Sequence, residues 1–233
     1  EFTDTRGNNV LVETGELGFL PPNSTGIRAD GGVELEFLDI FDPELEYDVL
    51  QNQLASTTNA FFTINETHDV LARYGFDEAA GNFQTTNYTG TGVGGDALRV
   101  NVDDPDAVCN AFAYIGVPSP SLAASVDGIS VEIEMGYCDQ NIPARSSGMD
   151  NDWVVHEFAH TLLARLVGGP QWMQGAFPDT QVGAMHEGSA DFLAKIMGME
   201  ATDDPSDGKS WGEWYFTDDL RRQPYSYDFA IDG

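Results

Sequence analysis

Positive charge is scarce in this sequence. Ten lysines and arginines face 39 aspartates and glutamates, a formal net charge of -29 over 233 residues. Only Lys195 and Lys209 are lysines. A surface of that sign repels phosphate, which argues against nucleic acid and anionic membrane as partners. It suits a protein that stays soluble in strong salt, where self-repulsion is screened, and equally an ordinary acidic secreted protein. No apolar run reaches the length of a membrane span. No signal peptide is present, and the opening EFTDTRGNNV reads as a processed or trimmed product. Cysteine is limited to Cys109 and Cys138, which fit one disulfide or two thiols. Internal repeats and low-complexity linkers are missing too, and the length suits one large domain or two small subdomains. No twelve-residue EF-hand pattern occurs, although acidic loops can hold calcium in other ways. Asn23, Asn65 and Asn87 head the glycosylation sequons NST, NET and NYT, which weigh little because short sequons arise often by chance.

What is present divides into a β-rich part over residues 1–149, with one helix, and a helical part over residues 150–233. GVELEFLDI (Gly32–Ile40) alternates like a strand, and PPNSTG and RADGG read as turns. STTNAFFTINETHDVLARYG predicts a helix capped by Ser56 or Thr57 and ended by Gly75, with Phe61, Ile64, His68, Leu71 and Tyr74 at helical spacing. Residues 82–95 read as loop. ALRVNVDD (Ala97–Asp104), CNAFAYIG (Cys109–Gly116) and ISVEIEMGY (Ile129–Tyr137) predict three strands separated by turn residues, hence a twisted, mostly antiparallel sheet. Pairing of the second and third would bring Cys109 near Cys138. Two helices follow. One covers roughly Asn151–Val167, capped by Asp150 and stopped by Gly168-Gly169-Pro170; the other covers roughly Gly183–Met197. The tail from Asp203 is polar, aromatic and irregular. The fold class is α+β, a sheet followed by two core helices.

The first of these helices carries DNDWVVHEFAHTLLARLVGGP. Residues four apart share a helix face one turn, about 6 Å, along the axis. His156 and His160 can therefore aim two imidazole nitrogens at one point. Glu157 is rotated by roughly 100° and flanks that point, within reach of a water held there. An amphipathic core helix with Val154, Val155, Phe158, Leu162, Leu163 and Leu166 would explain the apolar positions. It would not explain two histidines at that spacing with a glutamate beside the first. A catalytic zinc needs a third protein ligand and an open position. GAMHEGSADFLAKIMG offers Glu187 as that ligand, and Asp191, one turn on, as acceptor for the second N–H of a ligand histidine. Gly188, Ser189 and Ala190 are small enough to let the two helices approach.

At this point the chain resembles the catalytic domain of the fungalysin family of secreted zinc metalloendopeptidases, relatives of thermolysin. TRGNNV, ADGG, HDVLARYGFDEAAGNFQ, NAFA, DNDWVVHEFAH, ARLVGGP and EGSADF resemble that family's motifs in order and span most of the chain. YGFDEAAGNFQ is far more specific than H-E-x-x-H. The resemblance implies a zincin-like catalytic domain with one zinc ion held by His156, His160 and Glu187. It implies Glu157 as general base and Asp191 as the residue supporting a ligand histidine. Asn110 and Ala111 would bind substrate backbone as an edge strand. It also implies an inhibitory propeptide, maturation and secretion.

The sequence departs from the family at three places. His186 and Ser189 stand where Gly and Trp are common, and Thr161 stands where Gly is usual. Thr161 is expected to be tolerated, and His186 either to contact substrate or, the favoured reading, to face solvent without a role. His68 and Asp69 match the family, yet read as a structural hydrogen-bonding pair. The chain also runs only 46 residues past Glu187. The family's helical C-terminal subdomain is therefore expected to be missing, the chain being a fragment, the missing part a separate chain, or the protein a minimal variant. The expected activity is hydrolysis of internal peptide bonds. The alternatives are a zinc-binding but catalytically impaired relative that holds peptide, and an aminopeptidase.

Overall fold

The computed structural model describes residues 2–15, 26–114, 126–167, 180–204, 206–216, 220–226 and 228. The elements in chain order are β1 (Val10–Thr14), α1 (Leu50–Arg73), β2 (Leu98–Asp104), β3 (Ala111–Ala113), β4 (Glu132–Cys138), β5 (Arg145–Ser146), α2 (Asn151–Leu166), α3 (Thr180–Met197) and the short α4 (Glu213–Phe216). The class is α+β, as the sequence predicts. The helix stop at Gly168-Gly169-Pro170, the sequon at Asn23 and the end of CNAFAYIG lie outside the described residues.

The sheet has the order β1-β2-β4-β3, with β5 paired to β4. It is mixed, which corrects the expected mostly antiparallel arrangement. β1 pairs with β2, and β2 with β4, in parallel. Only the shorter ladders, β3 with β4 and β4 with β5, are antiparallel. The reason is the connection. A parallel pair needs a long crossover, and α1 supplies it between β1 and β2. Alternation then sorts each strand. Val10, Val12, Leu98, Val100, Val102, Ile133 and Met135 are buried and join Ile64 of α1 and Val154 and Phe158 of α2 in one core.

Two further expectations fail. GVELEFLDI is no strand. Leu35 N–H donates to Gly32 O and Glu36 N–H to Gly31 O, which closes a turn. Val33, Leu38 and Ile40 point into solvent, while Phe37 packs on Phe61 at 6.1 Å. Ser56 and Thr57 are not caps, because α1 starts at Leu50. Both are buried and bond outward: Ser56 Oγ to Ser146 Oγ at 2.7 Å, and Thr57 Oγ1 accepting from Ala29 N at 3.3 Å. The stop is as predicted, with Gly75 just past the helix at φ 104°. His68 and Asp69 pair at 3.1 Å. Cys109 and Cys138 form a disulfide.

β3 lies at the sheet edge, and its entry depends on Gly136. A Cβ there would sit 1.7 Å from Ala107 O and 2.8 Å from Asn110 O. The bare glycine lets the turn before β3 fold down onto β4, where Gly136 N–H donates to Asn110 O at 3.1 Å. The disulfide and Cys109 N–H donating to Tyr137 O, at 2.7 Å, fix the same turn.

Opposite this turn β2 bulges. Val102 pairs with Met135 and Asp104 with Gly136, which leaves Asp103 out of register at φ 61°. Burial pushes the Asp103 carboxyl up to about 7, helped by the charge of Asp48 and opposed by the Ser146 hydroxyl. An unfolded aspartate releases its proton near pH ~4. Between about pH 4 and 7 the folded state therefore holds the extra proton, and stability falls as pH rises through that window. Asp103→Asn removes the penalty, and asparagine tolerates positive φ. In thermal unfolding the variant should exceed the parent at about pH 8, with the gap closing at about pH 4. An equal gap at both would contradict the assignment.

Candidate metal centre

The site begins at the N-terminus of α2. Asp150 caps it, accepting from Asp152 N–H at 3.0 Å. Burial, with Asp152 nearby, raises the Asp150 carboxyl to about 6. The same two carboxylates also hold the tail. Tyr215 N–H donates to Asp150 Oδ2 and Gly212 N–H to Asp152 Oδ2, each at 3.1 Å. Trp211 and Tyr215 are thereby fully buried, with ring centroids 5.0 and 5.1 Å from Trp153. Trp211 meets His156 edge-on at 5.1 Å. The aromatic tail is thus a wall of the site.

Helices α2 and α3 run antiparallel in a register that repeats every turn. Lys195 Nζ lies 2.7 Å from Asp152 Oδ2, and His156 Nδ1 lies 2.8 Å from Asp191 Oδ1. One turn further, His160 Nε2 lies 3.6 Å from Glu187 Oε1. Four residues forward on α2 match four back on α3, which is what one helical pitch on each side requires. Ala190 is buried in this packing, while Gly188 and Ser189 are exposed. Thr161 is fully buried, and its hydroxyl donates to Phe158 O at 2.7 Å.

This register brings His156, His160 and Glu187 together. One ligand atom from each lies within 4.8 Å of the others. His156 Nε2 is 3.2 Å from Glu187 Oε2. Bonds of about 2.0–2.1 Å at the tetrahedral angle would separate neighbouring donors by about 3.3 Å, so the donor spacing fits a metal ion. The charges fit as well. Glu157, Glu187 and Asp191 surround the point, with Arg221 as the cation lining the same cleft. Burial opposes charge on His156, but hydrogen bonding to Asp191 and Glu187 outweighs it and raises its pKa to about 9. His160 is lowered by burial and by His156. Glu187 is lowered by its hydrogen bond to His156, and its side chain is 58% exposed, so the point opens to solvent.

Glu157 takes no part in the donor cluster. It is buried, its Oε2 has no hydrogen-bond partner among the described residues, and desolvation raises its pKa to about 7. A backbone hydrogen bond from Ala113 of β3 offsets part of that rise. A cleft of about 480 Å³ runs between the β3 edge and the two helices. Asn110, Ala111 and Ala113 line one side and His156, Glu157 and Glu187 the other.

Three contributors lie beyond the sequence reading. His186 is buried and bonds to His160, which corrects its expected solvent-facing position. Arg221 grips Asp191 through two hydrogen bonds of 2.6 and 2.7 Å, and the Tyr225 hydroxyl donates to the same carboxylate. Burial opposes charge on Asp191, but these bonds and the one to His156 hold its pKa well below the usual carboxylate range. The advance signal for Arg221 and Tyr225 is a run of aromatic residues with two arginines, SWGEWYFTDDLRRQPYSY, and for His186 it is the departure from the family pattern beside Glu187.

The model of the fungalysin metallopeptidase (M36) family matches residues 1–233. An extracellular metalloproteinase MEP of Fusarium vanettenii is 31% identical over 227 residues, 97% of this chain and 34% of that protein. The MEP of Leptosphaeria maculans is 31% identical over 239 residues, 100% of this chain and 35% of that protein. Extracellular metalloproteinase 2 of Trichophyton rubrum is 31% identical over 228 residues, 97% of this chain and 34% of that protein. The chain thus spans about a third of the length of these curated relatives.

Elemental mass spectrometry of the purified protein should find about one metal ion per chain, lost in His156→Ala. Metal retained at full stoichiometry by that variant would move the site elsewhere.

Proposed function

The chain belongs to the fungalysin metallopeptidase family, and on that premise we propose that it is the zinc-binding part of a secreted endopeptidase that hydrolyses internal peptide bonds. One observation carries this reading. His156 Nε2, His160 Nε2 and a Glu187 oxygen converge beside the buried Glu157 Oε2, which has no hydrogen-bond partner among the described residues, under a strand that those residues leave at the sheet edge. A donor set of two imidazoles and one carboxylate suits zinc and leaves a fourth position for substrate or water. The zincin-like description of the fold rests on the same arrangement, a strand edge above a helix that carries both histidines. The names of the relatives, extracellular metalloproteinases, support secretion.

His156, His160 and Glu187 hold the ion in this reading. When bound, zinc supplies Lewis acidity toward a carbonyl oxygen and a water molecule. The protein does the rest. Asp191, clamped by Arg221 and Tyr225, holds the His156 ring so that its Nε2 lone pair faces the ion. An extended peptide pairs with the edge of β3 at Asn110 and Ala111, which sets the scissile carbonyl across the cleft. Glu157 takes a proton from the attacking water and passes it to the leaving amine nitrogen. Burial favours the protonated form of this carboxyl, so Glu157 readily takes up the proton it relays.

Glu157→Gln keeps the size of the side chain and removes the base. The variant should retain its metal and lose at least ~100-fold in casein or peptide turnover. Undiminished turnover would remove Glu157 from the mechanism. A parent protein that binds zinc but cuts neither casein nor blocked peptides would make the chain a peptide-binding relative instead.

A further inference from the structure

His156 and His160 do not receive the same support. The Nδ1 of His156 faces the Asp191 carboxylate at 2.8 Å. The Nδ1 of His160 lies 2.7 Å from Nδ1 of His186, with the two ring planes within 5° of one another. His186 is 8% exposed and sits one residue before Glu187 on α3. We propose that His186 is a positioning residue, the acceptor that fixes the tautomer and ring plane of His160. This inference rests on the zinc reading of the site and deepens it.

The chemistry follows from proton count. Two ring nitrogens at 2.7 Å share one proton, so one donates and the other accepts. A histidine that offers its Nε2 lone pair to a cation carries its proton on Nδ1. His160 therefore donates from Nδ1, and His186 accepts at Nδ1 and keeps its own proton on Nε2. Carboxylates are the usual acceptors for such N–H groups. Here Glu157, Glu187 and Asp191 already surround the site. A fourth anion would add repulsion, whereas a neutral imidazole satisfies the N–H without adding charge. The antiparallel register makes the arrangement possible. Asp191 and His186 sit on the one helix, and each meets a histidine of α2 one turn apart.

The test compares zinc affinity in two variants. His186→Asn keeps an acceptor close to the Nδ1 position, and His186→Leu keeps bulk without one. Zinc dissociation constants come from competition with a chromophoric chelator. His186→Leu should bind zinc about 10–100-fold more weakly, and His186→Asn within about threefold of the parent. The visible spectrum of the cobalt-substituted Asn variant should match the parent's, and that of the Leu variant should not. Parent-like zinc binding by the Leu variant, or a loss in Asn equal to that in Leu, would overturn the assignment. Should the Leu variant not fold, long-range proton–nitrogen NMR of the zinc-loaded parent decides: a proton on Nε2 of His186 supports the proposal, and one on Nδ1 overturns it. A parent that binds no zinc overturns the metal-site reading itself, an outcome separate from the other two.

Discussion

The antiparallel contact between α2 and α3 is the constraint on which the site depends. Helix α2 buries two imidazoles within five residues, and neither tolerates burial without a partner. Because both helices advance about 5.4 Å per turn, one correct pairing sets the next. Lys195 on Asp152 sets Asp191 on His156, which sets His186 and Glu187 on His160. A slip of one residue along α3 would rotate every one of these groups by roughly 100° and strand them all. The donor cluster is therefore a property of the helix pair and not of either helix alone.

Scarce positive charge is placed at the joints of this frame. Arg165, fully buried at the end of α2, bonds to Asp96 and to Gly81 O and lies over the Phe83 ring. It thereby ties α2 to the loop before β2 and, through a bond to Ile129 O, to the segment before β4. Arg221 fixes Asp191, Lys195 fixes Asp152, and Arg28 joins Asp4 to Glu13. Buried or half-buried pairs of this kind are costly to break, because each would leave an uncompensated carboxylate. The remaining acids are largely left to water, where repulsion is screened and solubility is served.

The edge strand of the sheet is seated through one bare position. Gly136 lets the chain before β3 lie against β4, and the disulfide holds it there. The edge strand then passes above Glu157, to which Ala113 supplies a backbone hydrogen bond. A peptide-binding edge and a buried base are thus built from the same short segment.

The sequence by itself determined what period and local chemistry encode. The Asp150 cap, the helix from Asn151, the spacing of His156, Glu157 and His160, and that of Glu187 and Asp191 are all readable, because each depends on residues within a turn or two of one another. The fold class was legible for the same reason. Strand direction was not, since it depends on a crossover tens of residues long and not on alternation. Ser56 and Thr57 looked like caps because their hydroxyls satisfy a backbone just as well as they satisfy distant partners. The tertiary structure alone decided that His186 turns inward to His160, that Arg221 and Tyr225 return to grip Asp191, and that Trp211 closes the cleft. Those contacts join residues far apart in the chain, and only the packing of α2 against α3 and the tail specifies which polar group each buried nitrogen will meet.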